Sequence, residues 1–80
     1  MITVRLYGRV REECGKNQLD VEASTVREAI DETVKTGADK KLLQKCVIFL
    51  NDRPLRGLNR FESKLRDGDI LAFLPPVGGG

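Results

Sequence analysis

The chain has 80 residues, which is enough for one domain with a single modest core. Its 14 Lys and Arg against 12 Asp and Glu leave a formal charge of +2, far below the field expected of a nucleic-acid-binding protein. The sequence has no His, and its two cysteines, Cys14 and Cys46, are far apart, which excludes a His-dependent catalytic site and a C-x-x-C zinc or redox motif.

The first part of the chain predicts two paired strands. Residues 2–7 alternate between apolar and polar side chains, which places the aliphatic ones on one face of a strand and Tyr7 on the other. A polar stretch follows from 8 to 17, and residues 18–22 then alternate again. We expect this second strand to pair with the first as a loose hairpin, with Cys14 in the loop or in a short helix.

A helix is predicted to begin at Thr25 and to stop at Gly37. The segment from Thr25 to Glu28 is a capping box, in which the Thr25 hydroxyl accepts a hydrogen bond from an early amide and Glu28 reaches back. Apolar and small side chains then repeat at helical spacing, at Val26, Ala29, Ile30, Thr33 and Val34. Gly37 supplies the C-terminal stop.

The middle of the chain predicts a short helix and then a buried strand. Residues 39–45 form the helix, with Leu42 and Leu43 turned inward. The continuous apolar run of residues 46–50 is typical of a central strand. Cys46 is interpreted as a buried residue of that strand.

The last part predicts an edge element, a loop and a final strand. Residues 53–55 form a short element whose proline is tolerable at the edge of a sheet. Residues 56–66 are expected to form a loop with one helical turn at 61–64. Residues 67–69 carry a strong turn signal and lead into the last strand at 70–74.

These elements predict an α+β domain over residues 1–74, with a mixed sheet of four to five strands packed on one main helix. Such a helix covers only one face of the sheet. The last strand is apolar on both faces, and if Leu71 and Phe73 face the helix, apolar groups remain on the opposite face. That face would present a patch made of Tyr7, Ala72 and Leu74. An exposed apolar patch commonly binds a partner.

The segment after the last strand is predicted to be the working part of the protein. Residues 75–80 are Pro75, Pro76, Val77, Gly78, Gly79 and Gly80, and we expect them to form an extended, flexible tail. The two prolines keep its base out of the sheet, and glycines without Cβ atoms can thread a narrow channel. The carboxylate of Gly80 would be the reacting group, delivered with Gly79 into a partner's active site. A cloning remnant or a frayed terminus is the simpler alternative, although such a remnant is more usually polar.

Several segments of the chain match one known pattern. They are residues 2–7, Val10-Arg11-Glu12, Thr25-Val26, Leu50-Asn51, residues 65–69 and residues 72–80. Together they resemble the ubiquitin-like β-grasp sulfur carriers, in particular the MoaD family of molybdopterin synthase small subunits and the related ThiS-like carriers. The terminal Pro-Pro-Val-x-Gly-Gly is the most specific part of the match, and residues 56–60 are a longer stretch than is usual.

The resemblance implies a non-catalytic carrier subunit of a sulfurtransferase complex. A MoeB-like enzyme of the ubiquitin-activating type would use ATP to adenylate Gly80, and a sulfur donor such as a cysteine desulfurase or a rhodanese would convert it to a thiocarboxylate. A large MoaE-like subunit would accept the tail and use the sulfur to build the dithiolene of molybdopterin. The carrier would bind no permanent cofactor and no metal, and would hold its sulfur covalently.

Other functions remain open at this point. A ThiS-like carrier would deliver the same sulfur to thiamine thiazole synthesis, and another small carrier of this kind would deliver it to cysteine or tRNA thiolation. A ubiquitin-like modifier would join Gly80 to lysines of target proteins through isopeptide bonds. An interaction domain would use the sheet patch and leave the tail inert. RNA binding by the basic segment 53–66 ranks last, because one Tyr and three Phe offer no stacking platform.

The expected location follows from the start of the chain and from its hydropathy. Met1 opens directly onto a predicted strand rather than onto a signal peptide. No apolar run approaches the length that spans a membrane. We therefore expect a cytoplasmic protein whose partners are other proteins, with neither a nucleic acid nor a membrane among them.

Overall fold

The computed structural model describes residues 1–76, and the helices and strands named here belong to that part of the chain. The strands are β1 (Ile2–Leu6), β2 (Gln18–Val21), β3 (Val47–Leu50), β4 (Arg53–Pro54) and β5 (Ile70–Leu74). The helices are α1 (Gly8–Cys14), α2 (Val26–Val34) and α3 (Lys40–Lys45), with a 3₁₀ turn at Arg60–Glu62.

The strands form one mixed sheet in the order β2-β1-β5-β3-β4. β1 is antiparallel to β2 and parallel to β5, and β5 is antiparallel to β3. The predicted pairing of the first two strands is confirmed, and so is the edge position of the element around Pro54. The predicted strand at 46–50 is confirmed as an interior strand, since β3 lies between β5 and β4, but β5 occupies the middle of the sheet and Cys46 ends α3 instead of starting the strand.

The core lies between one face of the sheet and the helices. Leu71 and Phe73 of β5 are fully buried at its centre, as the alternation along that strand requires if both face α2. The buried apolar side chains of the described residues are Ile2, Val4, Leu6, Val10, Leu19, Val21, Val26, Ala29, Ile30, Ala38, Leu43, Cys46, Ile48, Leu65, Leu71 and Phe73. They form a single cluster, so residues 1–74 have one shared core.

The predicted capping box starts α2. The Glu28 amide donates to Oγ1 of Thr25 at 3.2 Å, and Oε1 of Glu28 accepts from the Ser24 amide at 2.7 Å. The glutamate therefore reaches back to the residue before the cap, which satisfies a second free amide at the helix start. Thr33 is fully buried, and its hydroxyl donates to the carbonyl of Ala29 at 2.8 Å, so no polar group of this side chain is left unpaired in the core.

Helix α1 is the main difference from the sequence prediction, which left residues 8–17 as a polar stretch with at most a short helix at Cys14. Only Val10 among its seven residues is buried. One buried position cannot produce a repeated apolar spacing, so the helix is hard to detect in the sequence. It ends at Gly15, which has a φ of 72° and donates its amide to the carbonyl of Arg11 at 2.9 Å.

The long loop before β5 is held by side-chain contacts. Its helical turn, expected at 61–64, lies at Arg60–Glu62. The Arg60 guanidinium donates to the carbonyl of Gln44 at 3.1 Å and lies over the ring of Phe61 at 4.4 Å from its centroid. Part of the basic charge of this segment is therefore used within the domain, which weakens the case for a nucleic-acid surface.

Candidate functional site

The sheet face that points away from the core carries a band of apolar side chains. Leu74 of β5 pairs in register with Val47 of β3. On the other side of β5, Phe73 pairs with Leu6 of β1, and Tyr7 is the next residue along the chain. Exposed fractions are 41% for Tyr7, 52% for Val47 and 36% for Leu74. The neighbouring row of residues on this face is paired across all five strands, in the order Gln18, Arg5, Ala72, Phe49 and Pro54.

We call the apolar part of this surface the outer face. It consists of Tyr7, Val47, Phe49, Ala72 and Leu74. Three of these residues, Tyr7, Ala72 and Leu74, were predicted as the outer patch, and the structure places them on the same side of the sheet. Val47 and Phe49 were missed, because a continuous apolar run shows no alternation that would assign its side chains to a face.

The chain leaves the outer face through Pro75, which is partly buried, and Pro76, which is exposed. The ring of Pro75 lies close to the start of α1, since a Cβ atom on Gly8 would come within 3.0 Å of Cγ and 3.7 Å of Cδ of Pro75. Gly8 also has a φ of 55°, a conformation that glycine adopts without strain. The proline segment therefore begins beside the start of α1, next to Tyr7.

The remaining predicted site residues are Val77, Gly78, Gly79 and Gly80. They lie outside the described residues. Their roles as the reactive and partner-binding part of the tail stay predictions.

Arginine side chains border the outer face on the β1 side. Arg5 and Arg11 line a shallow pocket of about 240 Å³ together with Leu6, Tyr7, Asn17 and Gln18. A second shallow pocket of about 380 Å³ adjoins the opposite side of the face, and Val47, Pro54, Arg56 and Arg60 belong to its lining. The apolar band therefore lies between two basic borders. A partner surface with an apolar centre and acidic groups around it would complement this arrangement.

Cys46 is not placed to act as a nucleophile. Its side chain is 4% exposed, and its thiol donates to the carbonyl of Leu42 at 3.2 Å. Burial raises the pKa of the Cys46 thiol to about 12, so the reactive thiolate is scarcely populated near neutral pH. Among residues 1–76, no group of three or more His, Cys, Asp or Glu side chains is arranged to hold a metal ion.

The span of the described helices is short. None of the helices within residues 1–76 is long and apolar enough to cross a membrane. The longest, α2, has nine residues.

Comparisons with known proteins identify the family. A model described as the ThiS family matches residues 4–80. A sequence comparison with curated proteins found none that matches. Among solved structures, a chain of the BexX/CysO complex from Amycolatopsis orientalis is 28% identical, with a TM-score of 0.81 over 100% of both chains.

Two further structures are similar along nearly their whole length. Small archaeal modifier protein 1 from Methanosarcina acetivorans is 26% identical, with a TM-score of 0.81 over 99% of this chain and 95% of that one. A chain of the complex of subunits 1 and 2 of molybdopterin-converting factor from Helicobacter pylori 26695 is 30% identical. Its TM-score is 0.62, over 99% of this chain and 97% of that one.

The mixed five-stranded sheet packed on α2 confirms the predicted ubiquitin-like β-grasp fold, which these solved structures share. The family match confirms the resemblance seen in the sequence motifs. It covers all but the first three residues of the chain. The chain belongs to the ThiS family of ubiquitin-like sulfur carriers.

Proposed function

We propose that this protein is the small subunit of a molybdopterin synthase and that it carries sulfur as a thiocarboxylate on Gly80. The observation that supports this most is the continuity between the outer face and the tail, because Leu74 directly precedes Pro75 and Pro76. A partner that covers the outer face would receive the tail at the same place. The 30% identical chain from Helicobacter pylori is found in a complex of two molybdopterin-converting factor subunits.

A carboxylate is a poor electrophile, so Gly80 needs activation before sulfur can be attached. In the proposed reaction, a MoeB-like enzyme brings a carboxylate oxygen of Gly80 to the α-phosphorus of ATP, and pyrophosphate leaves. The terminal sulfur of a donor persulfide, on a cysteine desulfurase or a rhodanese, then attacks the carbonyl carbon, and AMP leaves. A second thiol attacks the donor sulfur of the acyl disulfide, forms a new disulfide with it and releases the thiocarboxylate.

The chain itself contributes position in this proposal. The outer face docks on the large MoaE-like subunit, and the arginines beside it pair with acidic groups of that subunit. The sequence has no His, and the Cys46 thiol is held neutral, so the proposal assigns the general base and the nucleophile to the partners. The proposal places these reactions in the cytoplasm.

Two of the solved structures favour a second candidate function. The chains from the BexX/CysO complex and from the archaeal modifier protein match with TM-scores of 0.81, against 0.62 for the molybdopterin-converting factor chain. A carrier of the CysO or ThiS kind would deliver sulfur to a different acceptor, and a modifier would form isopeptide bonds with lysines. All of these functions need adenylation of Gly80, so they differ in what happens after it.

The decisive experiment is the intact mass of the protein after incubation with ATP, its cognate activating enzyme and a persulfide donor. We expect one oxygen of Gly80 to be exchanged for sulfur only when ATP is present. Adding the large synthase subunit and its pterin substrate should then return the carrier to the carboxylate form. A variant that lacks Gly79 and Gly80 is the matched control, because it keeps the outer face but has no glycine pair to charge.

The other outcomes separate the candidates. Stable thiocarboxylate in the presence of the large subunit would favour a different acceptor. Adducts on lysines in cells would favour the modifier. Lack of any mass change with an enzyme that charges its own carrier would overturn the carrier role.

A further inference from the structure

We propose that Gly8 is a positioning residue for sulfur transfer, because its bare α-carbon provides the space in which Pro75 lies. The contact sets the direction in which the chain leaves β5. The inference rests on the proposed function, since that direction matters only if the terminus must reach a reacting centre.

The contact between Gly8 and Pro75 is unusually close. A Cβ atom on Gly8 would lie 3.0 Å from Cγ of Pro75, which is closer than real Cβ atoms normally approach a neighbour. The pyrrolidine ring fixes its own φ angle and cannot turn away as a flexible side chain could. A methyl group at position 8 would therefore push the ring of Pro75 outward by a few tenths of an ångström, together with the peptide that follows it.

Helix α1 is held at its far end, which opposes a movement that would relieve this contact. A Cβ atom on Gly37, in the loop after α2, would lie 2.8 Å from the carbonyl oxygen of Glu13, so backbone already packs closely there. Oε1 of Glu13 accepts a hydrogen bond from the Asp39 amide at 2.9 Å, and Val10 is fully buried. The displacement therefore falls on Pro75, the less constrained partner.

A shift at Pro75 changes the point and direction from which residues 76–80 start. Misplacing a reacting atom by about 1 Å can cost up to about a hundredfold in rate, because proximity and alignment supply much of the acceleration. The outer face is formed by other residues, so docking of the carrier should be affected much less than the chemical step. The expected signature is a lower kcat with a nearly unchanged KM for the carrier.

The test compares Gly8→Ala with Gly15→Ala in the ATP-dependent thiocarboxylation assay. Gly15 lies at the other end of α1 with a φ of 72°, and a Cβ atom there meets nothing within 4 Å in the described part of the chain. Both alanines therefore bear the strain of the left-handed conformation, and only the one at position 8 meets Pro75. We expect Gly8→Ala to lower kcat by about three- to tenfold and Gly15→Ala by less than about twofold.

A Pro75→Ala background completes the test. Alanine lacks the Cγ and Cδ atoms that Gly8 faces, so adding Gly8→Ala to Pro75→Ala should cause no further loss of kcat. If the alanines unfold the domain, Gly8→Asn and Gly15→Asn form the equivalent pair, since Asn tolerates a positive φ.

Three results would count against the proposal in distinguishable ways. Equal losses in Gly8→Ala and Gly15→Ala, with an active wild-type chain, would overturn the positioning role alone. A full loss from Gly8→Ala in the Pro75→Ala background would overturn the contact as its cause. A wild-type chain that is never thiocarboxylated would overturn the proposed function, and the role of Gly8 with it.

Discussion

Replacing Leu74 by glutamate should weaken docking of the large synthase subunit by roughly 30- to 140-fold, which corresponds to about 2–3 kcal/mol. Fully burying a leucine side chain contributes about 1.5–3 kcal/mol. Leu74 is 36% exposed, so the part that a partner can still cover is worth about a third of that, or ~0.5–1 kcal/mol. The rest of the loss, about 1.5–2 kcal/mol, is the cost of placing an unpaired carboxylate beside Val47 under an apolar partner surface.

The assay is calorimetric titration of the carrier with the large subunit, with thermal melts to show that each variant is folded. Leu58→Glu is the matched control, because Leu58 is 96% exposed and lies in the loop outside the strands. We expect it to bind within about threefold of the wild-type chain, since it changes no residue of the outer face. A dissociation constant for Leu74→Glu equal to that of Leu58→Glu would refute the assignment of the outer face as the docking surface.

Three further predictions test the tail, the buried thiol and the start of β5. Gly79→Ile should abolish thiocarboxylation without lowering the melting temperature, because a branched side chain blocks a narrow channel; an active variant with this change would show that the channel is wide. Alkylation at about pH 8 should label Cys14 and spare Cys46 until the protein unfolds, because the Cys46 pKa is raised to about 12. The stability gained by keeping this thiol neutral is present at pH values below its ordinary pKa of 9.0 and is lost as the pH rises through about 12. Equal labelling of both cysteines, measured in a digest, would contradict the burial of Cys46. The pKa of Asp69 is lowered from its ordinary value of 3.8 by the Arg66 amide and by the side chain of Asn51. The contribution of Asp69 to stability is therefore present at pH values above its ordinary pKa, and it is lost as the pH falls through the lower folded-state pKa. Asp69→Asn should therefore reduce the loss of stability at acidic pH, measured as the free energy of unfolding against pH by circular dichroism. An unchanged pH dependence would show that other carboxylates control it.

The elements with a repeated apolar spacing could be predicted from the sequence. The alternation in β1 and the capping box at Thr25 are local patterns, and both are confirmed. Burial of Leu71 and Phe73 then determined which side of β5 faces outward. The fold class and the central residues of the outer face follow from these few positions.

Features that depend on contacts between distant residues could not be predicted in this way. Helix α1 buries only Val10, and its two ends lie against Pro75 and the loop at Gly37, which are remote in sequence. The run from Val47 to Leu50 has no alternation, so its register against β5 was needed to place Val47 on the outer face. Gly8 opens the polar stretch of residues 8–17, where no local pattern indicates its contact with Pro75.

The tail shows the opposite case, in which the sequence carries more information than the structure. The motif of residues 75–80 predicts a reactive terminus, and its last four residues lie outside the described part of the chain. The composition of this motif, the family match and the position of the tail base support the proposed carrier chemistry.

The central position of β5 affects how the protein is made. β5 hydrogen-bonds to both β1 and β3. While Ile70–Leu74 is still inside the ribosome, the nascent chain therefore has only the pair β1–β2 and the pair β3–β4, with no strand between them. Neither pair can enclose the core, and chains that stop early should be open to proteolysis. Because the same strand leads directly into Pro75, the strand that bears the tail is also the one that closes the sheet.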